Sequence, residues 1–409
     1  MKILFLSHYY KPEGNAPASR VSALAERWAK NGDEVCVITC APNVPNGVVY
    51  DGYKNSWVQQ ETINGVNVVR VWTYIAPNKG TARRIANFIS YMFSAVWRGI
   101  FLEKPDIIIA TSPQFFCGWA GVLLHFIRRV PFVLEIRDLW PESLTAVGAR
   151  IPMFGLISFL EKLMYKSANH IVTVGDGYVE KLMERGVDKG KISVIMNGVD
   201  KTLFYPRPKN SELLERHGLS GKFVCSYIGT IGMACGLKSA LDAAEILAKK
   251  GNDEIRLVFV GDGAQKDSLE AEAKKRNLKN VIFLGRRPKD EIPDWIASSD
   301  VNLVYLKKSD LFKTVMPSKI FESAGCGKPV IIGVDGFAKN FVEKMQMGIP
   351  VEPENPDELA EALELASRSP EMLAKLGENG LKNVVPNYNR DTQADKYREI
   401  LQTQIKNKK

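Results

Sequence analysis

MKILFLSHYYKPEGNAPASRVSALAERWAKNGDEVCVITC, residues 1–40, decides the fold. Residues 3–6 are apolar at every position, as in a parallel strand covered on both faces. A turn rich in Pro, Gly and Asn follows, then a helical pattern over residues 19–30 and a second apolar run at 34–39. Strand, helix and strand within that length require a right-handed parallel crossover. Working outward, further runs stand at 66–71, 107–110, 132–136, 170–174 and 192–195. After the Asn197-Gly198 turn, the stretch Tyr205-Pro206-Arg207-Pro208 reads as a linker. A second series then starts at 223–228 and continues at 256–260, 281–284, 301–305, 329–332 and 350–351. A chain of 409 residues is too long for one ordinary core. The expectation is an α/β protein of two Rossmann-like, doubly wound parallel-sheet domains facing across a cleft. Their predicted bounds are 1–204 and 205–386, with 387–409 forming a helix that crosses back to the first domain.

Hydrophobic residues make up 45% and charged residues 25%, which excludes a disordered chain and a membrane-spanning one. Lys plus Arg number 55 against 46 acidic residues, and the excess of +9 suits an anionic partner. No recognisable nucleic-acid motif accompanies it. Six cysteines are scattered without a C-x-x-C pair, which predicts a reducing, cytoplasmic compartment. The N-terminus lacks a small-residue cleavage site and reads as a strand, and the apolar stretch 107–127 is interrupted by Thr111, Ser112, Gln114 and His125.

In open parallel sheets the loops just after strands hold ligands. The first such loop contains Gly14 and Asn15, which permit close backbone approach, with Ser19 as a candidate cap for the next helix. The second domain opens likewise: Gly229, Thr230, Gly232, Cys235 and Gly236 precede a helix, a pattern suited to a diphosphate. The spacing fits neither the dinucleotide fingerprint nor a Walker loop. In the stretch 313–329, Pro317 and Ser318 begin a helix and place Lys319 in its first turn, where a cation opposes the helix dipole unless an anion binds. Glu322 lies three residues on, so an ordinary i,i+3 ion pair is the plain alternative. Arg137 and Asp138 end an apolar strand, where charged residues are candidates for catalysis and a mutual salt bridge is the structural alternative. His8 also follows a strand and is given no catalytic role.

These pieces together resemble the nucleotide-sugar glycosyltransferases of family 4, which have the GT-B fold. The resemblance spans nearly the whole chain. It is carried by the Pro12-Glu13-Gly14 loop, Asn197-Gly198-Val199-Asp200 with Phe204, Tyr227-Ile228-Gly229, Val260-Gly261-Asp262-Gly263, Phe283-Leu284-Gly285 and the segment from Glu322 to Pro329. The segment Arg137-Asp138-Leu139-Trp140-Pro141-Glu142 and Pro317-Ser318-Lys319 resemble the WbuB-like branch associated with bacterial surface polysaccharides. The resemblance implies retention of anomeric configuration and makes Glu322 the second Glu of the E-x7-E motif, binding ribose hydroxyls. The first Glu falls at Thr314, expected with Asn197 near the donor sugar. The family's Arg–Lys phosphate pair falls at Thr230 and Cys235, neither cationic, so Lys319 with the Gly232–Gly236 amides is expected to neutralise the diphosphate. Gly261 and Arg286 complete the expected nucleotide side. No D-x-D sequence occurs, so neither a metal nor another cofactor is expected, and the nucleotide sugar is a substrate.

The predicted activity is transfer of a sugar, an amino- or deoxy-hexose among the candidates, to a lipid-linked saccharide for O-antigen or capsule assembly. Rival readings are a GT-B-fold sugar-nucleotide epimerase and a non-catalytic nucleotide-sugar-binding protein. Residues 81–104 read as a helix with Ile85, Phe88, Ile89, Met92, Phe93, Val96 and Ile100 on one face, a stripe that packing of the helix on the sheet explains. Its basic start (Lys79, Arg83, Arg84), with Arg128, Arg129 and the tail Lys406, Lys408 and Lys409, predicts peripheral binding to the anionic inner face of the cell membrane.

Overall fold

Two parallel sheets, one in each of two units, organise the chain. The computed structural model describes residues 1–44, 46–77, 81–112, 114–139 and 154–407. Unit 1 is Met1–Met196 with Asp391–Lys409, and unit 2 is Asn197–Arg390.

Unit 1 contains β1 (Lys2–Leu6), β2 (Glu34–Cys40), β3 (Val58–Ile63), β4 (Val66–Val71), β5 (Ile107–Thr111), β6 (Phe132–Ile136), β7 (His170–Thr173) and β8 (Ile192–Val194). They form a sheet in the order β3-β4-β2-β1-β5-β6-β7-β8. Ile3 pairs with Val35 on one side and Ile107 on the other, so the order reverses at β1 and the loop after it sits at the switch point. On one face lie the helix Ala16–Lys30 and the C-terminal helix Arg390–Lys406. The Trp28 indole donates to the Ala394 carbonyl at 2.8 Å, and Arg27 pairs with Asp395. On the other face, Thr81–Ile100, Phe115–Arg128 and Phe154–Ser167 bury Tyr91, Ala95, Leu124 and Met164.

Unit 2 contains β9 (Phe223–Ile228), β10 (Ile255–Val260), β11 (Val281–Gly285), β12 (Val301–Tyr305), β13 (Val330–Gly333) and β14 (Gly348–Pro350). Their order is β11-β10-β9-β12-β13-β14, all parallel, with the reversal beside β9.

Five details differ from the sequence expectations. The helix after β1 starts at Ala16, and its cap is Asn15, whose Oδ1 accepts from Ala18 N at 2.9 Å, while Ser19 lies inside the helix. Strand β3 was not expected: its sequence VQQETI has no apolar run because it is an antiparallel edge strand. The expected stripe on Thr81–Ile100 divides, for Phe88 is buried while Ile85 and Phe93 face outward, and Tyr91 and Ala95 supply the rest of the buried face. The unit boundary falls at Asn197, not at residue 205. Val199 N–H donates to Tyr388 O and Arg390 N–H donates to Val199 O, so Val199 is bonded to the last residues of unit 2. The proline stretch is no free linker, since Arg207 stacks on Tyr205 and pairs with Asp294.

Candidate functional site

In unit 2 the carboxyl ends of β9, β10 and β11 continue as glycine turns bonded to one another. Gly229 N–H donates to Val260 O, Ile231 N–H to Asp262 O and Gly261 N–H to Gly285 O, at 2.8–2.9 Å. A Cβ on Gly261 would stand 1.9 Å from the Gly229 carbonyl, so the fold itself requires glycine there. Gly229 has φ +138°, and a Cβ on it would stand 2.8 Å from Lys319 Cε. Gly229 thus makes room for the lysine.

Lys319 comes from the helix Ser318–Gly325, whose start, at Pro317, has no side-chain cap. Its ammonium lies 3.4 Å from the centroid of the Tyr227 ring, a cation–π contact. The Tyr227 hydroxyl and the Cys235 thiol both donate to the Thr230 carbonyl, fixing the glycine turn beside the ring. Burial holds the Lys319 pKa down to about 8, opposed by the attraction of Cys235 and Glu322. The same burial pushes the Glu322 carboxyl up, against the pull of Arg390, Lys319 and Lys289. Among the described residues neither Lys319 nor Glu322 belongs to an ion pair. The plain i,i+3 pair is not formed. Both line a small cavity with Ser226, Ser323 and Asn302, whose side-chain amide is buried without a hydrogen-bond partner.

The other expected donor-side residues are placed as follows. Gly232 has open space beyond its neighbour Thr230, which is itself exposed, and Gly236 is buried against Lys307 at φ +62°. Arg286 is exposed after β11, and Ser318 is exposed at its helix start. Thr314 is buried with its hydroxyl donating to Leu311 O at 2.7 Å, so that hydrogen is spent locally. Asn197 is half-buried as the first residue of unit 2.

In unit 1, Gly14 is exposed, without positive φ and with no atom within 4 Å of an added Cβ. The fold does not need glycine at this position. Asn15, by contrast, is occupied as a cap, and its Nδ2 donates to Glu13. Glu13 also accepts from Asn43 N and Val44 N, pinning the loop after β1 to the loop after β2.

Arg137 and Asp138 follow β6. Asp138 lines a small cavity with Ser112, Gln114, Phe115 and Ile136. Its side chain is accessible, yet the protein packed around it pushes the carboxyl up to about 6 against the attraction of Arg137. The alternative salt bridge is absent among the described residues: Arg137 Nε and Nη1 are enclosed without a partner. Trp140, Pro141 and Glu142 of this segment lie outside the described residues, as do Lys79, Lys408 and Lys409. His8 is packed against Tyr9, Phe88 and Tyr91, and burial lowers its pKa to about 3, so it stays neutral.

Three polar residues near these strand ends were given no role in a site from sequence. Glu135, fully buried in β6, accepts from Arg20 Nε at 2.9 Å and Thr111 Oγ1 at 2.7 Å. Arg20 also donates to the carbonyls of Ile195 and Met196, where the chain leaves unit 1. A carboxylate inside an apolar strand requires a buried partner, and that was the available signal. Gln114 is buried with both amide atoms unpartnered.

Two family models match consecutive parts of the chain: a glycosyl transferase 4-like domain over residues 15–198 and glycosyl transferases group 1 over residues 210–383. WcaI of Escherichia coli (strain K12), named as a colanic acid biosynthesis glycosyl transferase, is 25% identical over 83% of this chain and 84% of its own. WbjE of Pseudomonas aeruginosa, named as a glycosyltransferase, is 23% identical over 70% and 74%. Among solved structures, Anabaena HepE in complex with UDP-glucose superposes with TM-score 0.72 at 19% identity, covering 98% of this chain and all of that one. WaaG, a glycosyltransferase involved in lipopolysaccharide biosynthesis, gives TM-score 0.70 at 15% identity over 98% and 99%.

Proposed function

The chain is a nucleotide-sugar-dependent glycosyltransferase of family 4 with the GT-B fold, and we propose that it extends a lipid-linked saccharide for a bacterial surface polysaccharide. Unit 2 takes the donor and unit 1 the acceptor. The observation that carries the donor side is Lys319, held over Tyr227 beside Gly229 with Glu322 one turn on and neither ion-paired. An ammonium and the uncapped start of its helix suit a diphosphate, and a carboxylate accepts two ribose hydroxyls. Gly229, Thr230, Gly232, Gly236, Gly261, Arg286 and Ser318 are the further donor-side candidates of unit 2, and Gly14 and Asn15 are candidates in the loop after β1 of unit 1. Thr314 and Asn197 remain the candidates beside the sugar. In the transfer the bond from the anomeric carbon to the diphosphate oxygen breaks and a bond to the acceptor oxygen forms with retention. The acceptor proton passes to the leaving diphosphate, while Asp138 accepts a hydrogen bond from a neighbouring hydroxyl of the acceptor sugar and so orients it.

The names of WcaI and WaaG, which refer to colanic acid and lipopolysaccharide, support a surface-polysaccharide product. A peripheral location on an anionic bilayer is supported by one face of unit 1. No helix among the described residues is long and apolar enough to cross a membrane. Yet the helices Thr81–Ile100, Phe115–Arg128 and Phe154–Ser167 present Phe93, Trp97, Phe126 and Phe159 at 57–69% exposure. Arg83, Arg84, Lys162 and Lys166 are exposed on the same helices, whose one carboxylate, Glu161, is buried against Arg185. Exposed apolar side chains and exposed cations on the same helices match an anionic interface.

The test is thermal stabilisation by UDP-, GDP- and dTDP-sugars, then mass analysis of products on polyprenyl-diphosphate saccharides. A stabilising donor and a one-sugar increment are expected; a product formed without any acceptor would replace the transferase reading. Flotation with neutral and anionic liposomes tests the membrane face, and equal, negligible binding to both would remove it.

A further inference from the structure

Among the described residues, the carboxyl end of β6 carries a cation without a partner for its side chain. Arg137 spends its backbone N–H on Ser112 Oγ at 2.8 Å, but its side-chain Nε and Nη1 are enclosed without a partner. Nearby carboxylates do not take it. Glu135 is engaged by Arg20 and Thr111, and Asp138 forms no ion pair with it among the described residues. An enclosed guanidinium N–H without an acceptor is costly, and such groups persist where a ligand completes them.

The next strand supplies a second feature. After β7 the chain passes Gly175 into the helix Asp176–Glu184, whose start has no side-chain cap. Tyr178, in its first turn, is close enough to Arg137 and Asp138 to couple electrostatically with both. Asp176, the carboxylate of that turn, is exposed. A free guanidinium fork and uncapped helix amides at adjacent strand ends are the donor set of a phosphate site.

We propose that Arg137 and the start of this helix bind a phosphate group of the acceptor, the one joining the saccharide to its lipid. This inference rests on the lipid-linked transferase reading.

The experiment compares the full-length protein with Arg137→Gln and Arg137→Lys. The probes are UDP, inorganic pyrophosphate, and one saccharide presented either on polyprenyl diphosphate or on an uncharged alkyl chain. Arg137→Gln should raise KM for the diphosphate acceptor by about ten- to a hundredfold, the factor for a charge-assisted hydrogen bond. KM for the alkyl glycoside and the affinity for UDP should not change, and Arg137→Lys should recover part of the loss. The melting temperature of Arg137→Gln should equal or exceed that of the wild type, because no partner is stranded; a structural role would lower it. Loss confined to UDP overturns the proposal, because it gives the site to the donor. Equal losses on both acceptors, or a lowered melting temperature with unchanged KM, overturn the proposal. Should the wild type turn over neither acceptor, the transferase reading fails, and loss of pyrophosphate binding measured with the Lys319 site filled by UDP still decides the site: binding unchanged in Arg137→Gln overturns it.

Discussion

Lys319→Met removes one charge and keeps an unbranched side chain over Tyr227, and its consequences follow from the burial of the ammonium. The folded amine titrates near 8, against an ordinary 10.5, because burial disfavours its charge. A displacement of that size corresponds to about 3 kcal/mol. Its sign is set by linkage: the unfolded chain takes up the proton first as pH falls below 10.5, and the folded chain follows only near 8. Stability is therefore full when the amine is neutral, declines between those values, and carries the whole cost at pH 7. The unliganded methionine variant should be more stable than wild type at pH 7 by up to about 3 kcal/mol. A bound diphosphate reverses the balance, because it supplies the counter-charge that the site lacks. Wild type should then take up a proton on binding UDP above pH 8, and its affinity should fall as pH rises from 8 to 9.5. In Lys319→Met the affinity at pH 7.5 should drop by about ten- to a hundredfold, with no remaining pH dependence over that range. Titration calorimetry in buffers of different ionisation heat measures affinity and proton uptake together. Wild-type binding without proton uptake, or a variant that binds UDP as tightly as wild type, would refute the reasoning.

Glu322→Gln should weaken UDP binding strongly while leaving uridine-free stability at pH 7 equal or higher: burial raises the folded carboxyl, so its cost appears as pH rises through the carboxylate range and persists at neutrality. Scanning calorimetry beside a UDP titration checks both parts, and unchanged affinity removes the ribose assignment. Transfer should slow as pH falls through about 6, where Asp138 takes up its proton, and Asp138→Asn should be slow with that inflection gone; a wild-type profile lacking the inflection contradicts the role. Arg20→Met strands the buried Glu135 and should cost about 3–5 kcal/mol in urea denaturation. A loss below about 1 kcal/mol would mean the pair is not held as described.

Most of the fold was legible because parallel strands buried on both faces must be apolar at nearly every position, as in β1, β6 and β9. Strand β3 escaped because its edge position tolerates Gln59, Gln60 and Glu61. Its turn was visible, since Asn64 and Gly65 both take positive φ, at 50° and 82°, the two-residue hairpin geometry. Lys319 was legible as a misplaced cation in a first helical turn, but its contact with Tyr227 depends on how the helix after Pro317 meets the end of β9. The Arg20–Glu135 bond joins residues 115 apart, a separation that periodicity cannot bridge. On Thr81–Ile100 the apolar residues cover more than one side, so the pattern placed Phe88, Met92, Val96 and Ile100 correctly but included the exposed Ile85 and Phe93 and missed Tyr91 and Ala95.

The contrast between paired and unpaired charges separates scaffold from site. Where a charge serves the fold, this chain pairs it: Arg20 with Glu135, Arg70 with Glu61, Arg185 with Glu161 and Arg398 with Asp33. Lys319 and Glu322 stand one helical turn apart, and Arg137 and Asp138 are sequence neighbours, yet neither couple closes. Open charges at the ends of parallel strands reduce the stability of the empty protein and are recovered when an anion or hydroxyl arrives. Substitutions should therefore divide by sign. Neutralising Arg137, Lys319 or Glu322 should leave the empty protein as stable or more so while impairing ligand binding, whereas neutralising Arg20, Arg70 or Arg185 should destabilise it without a direct effect on the ligands. A charged residue on the wrong side of that division would have been assigned to the wrong role.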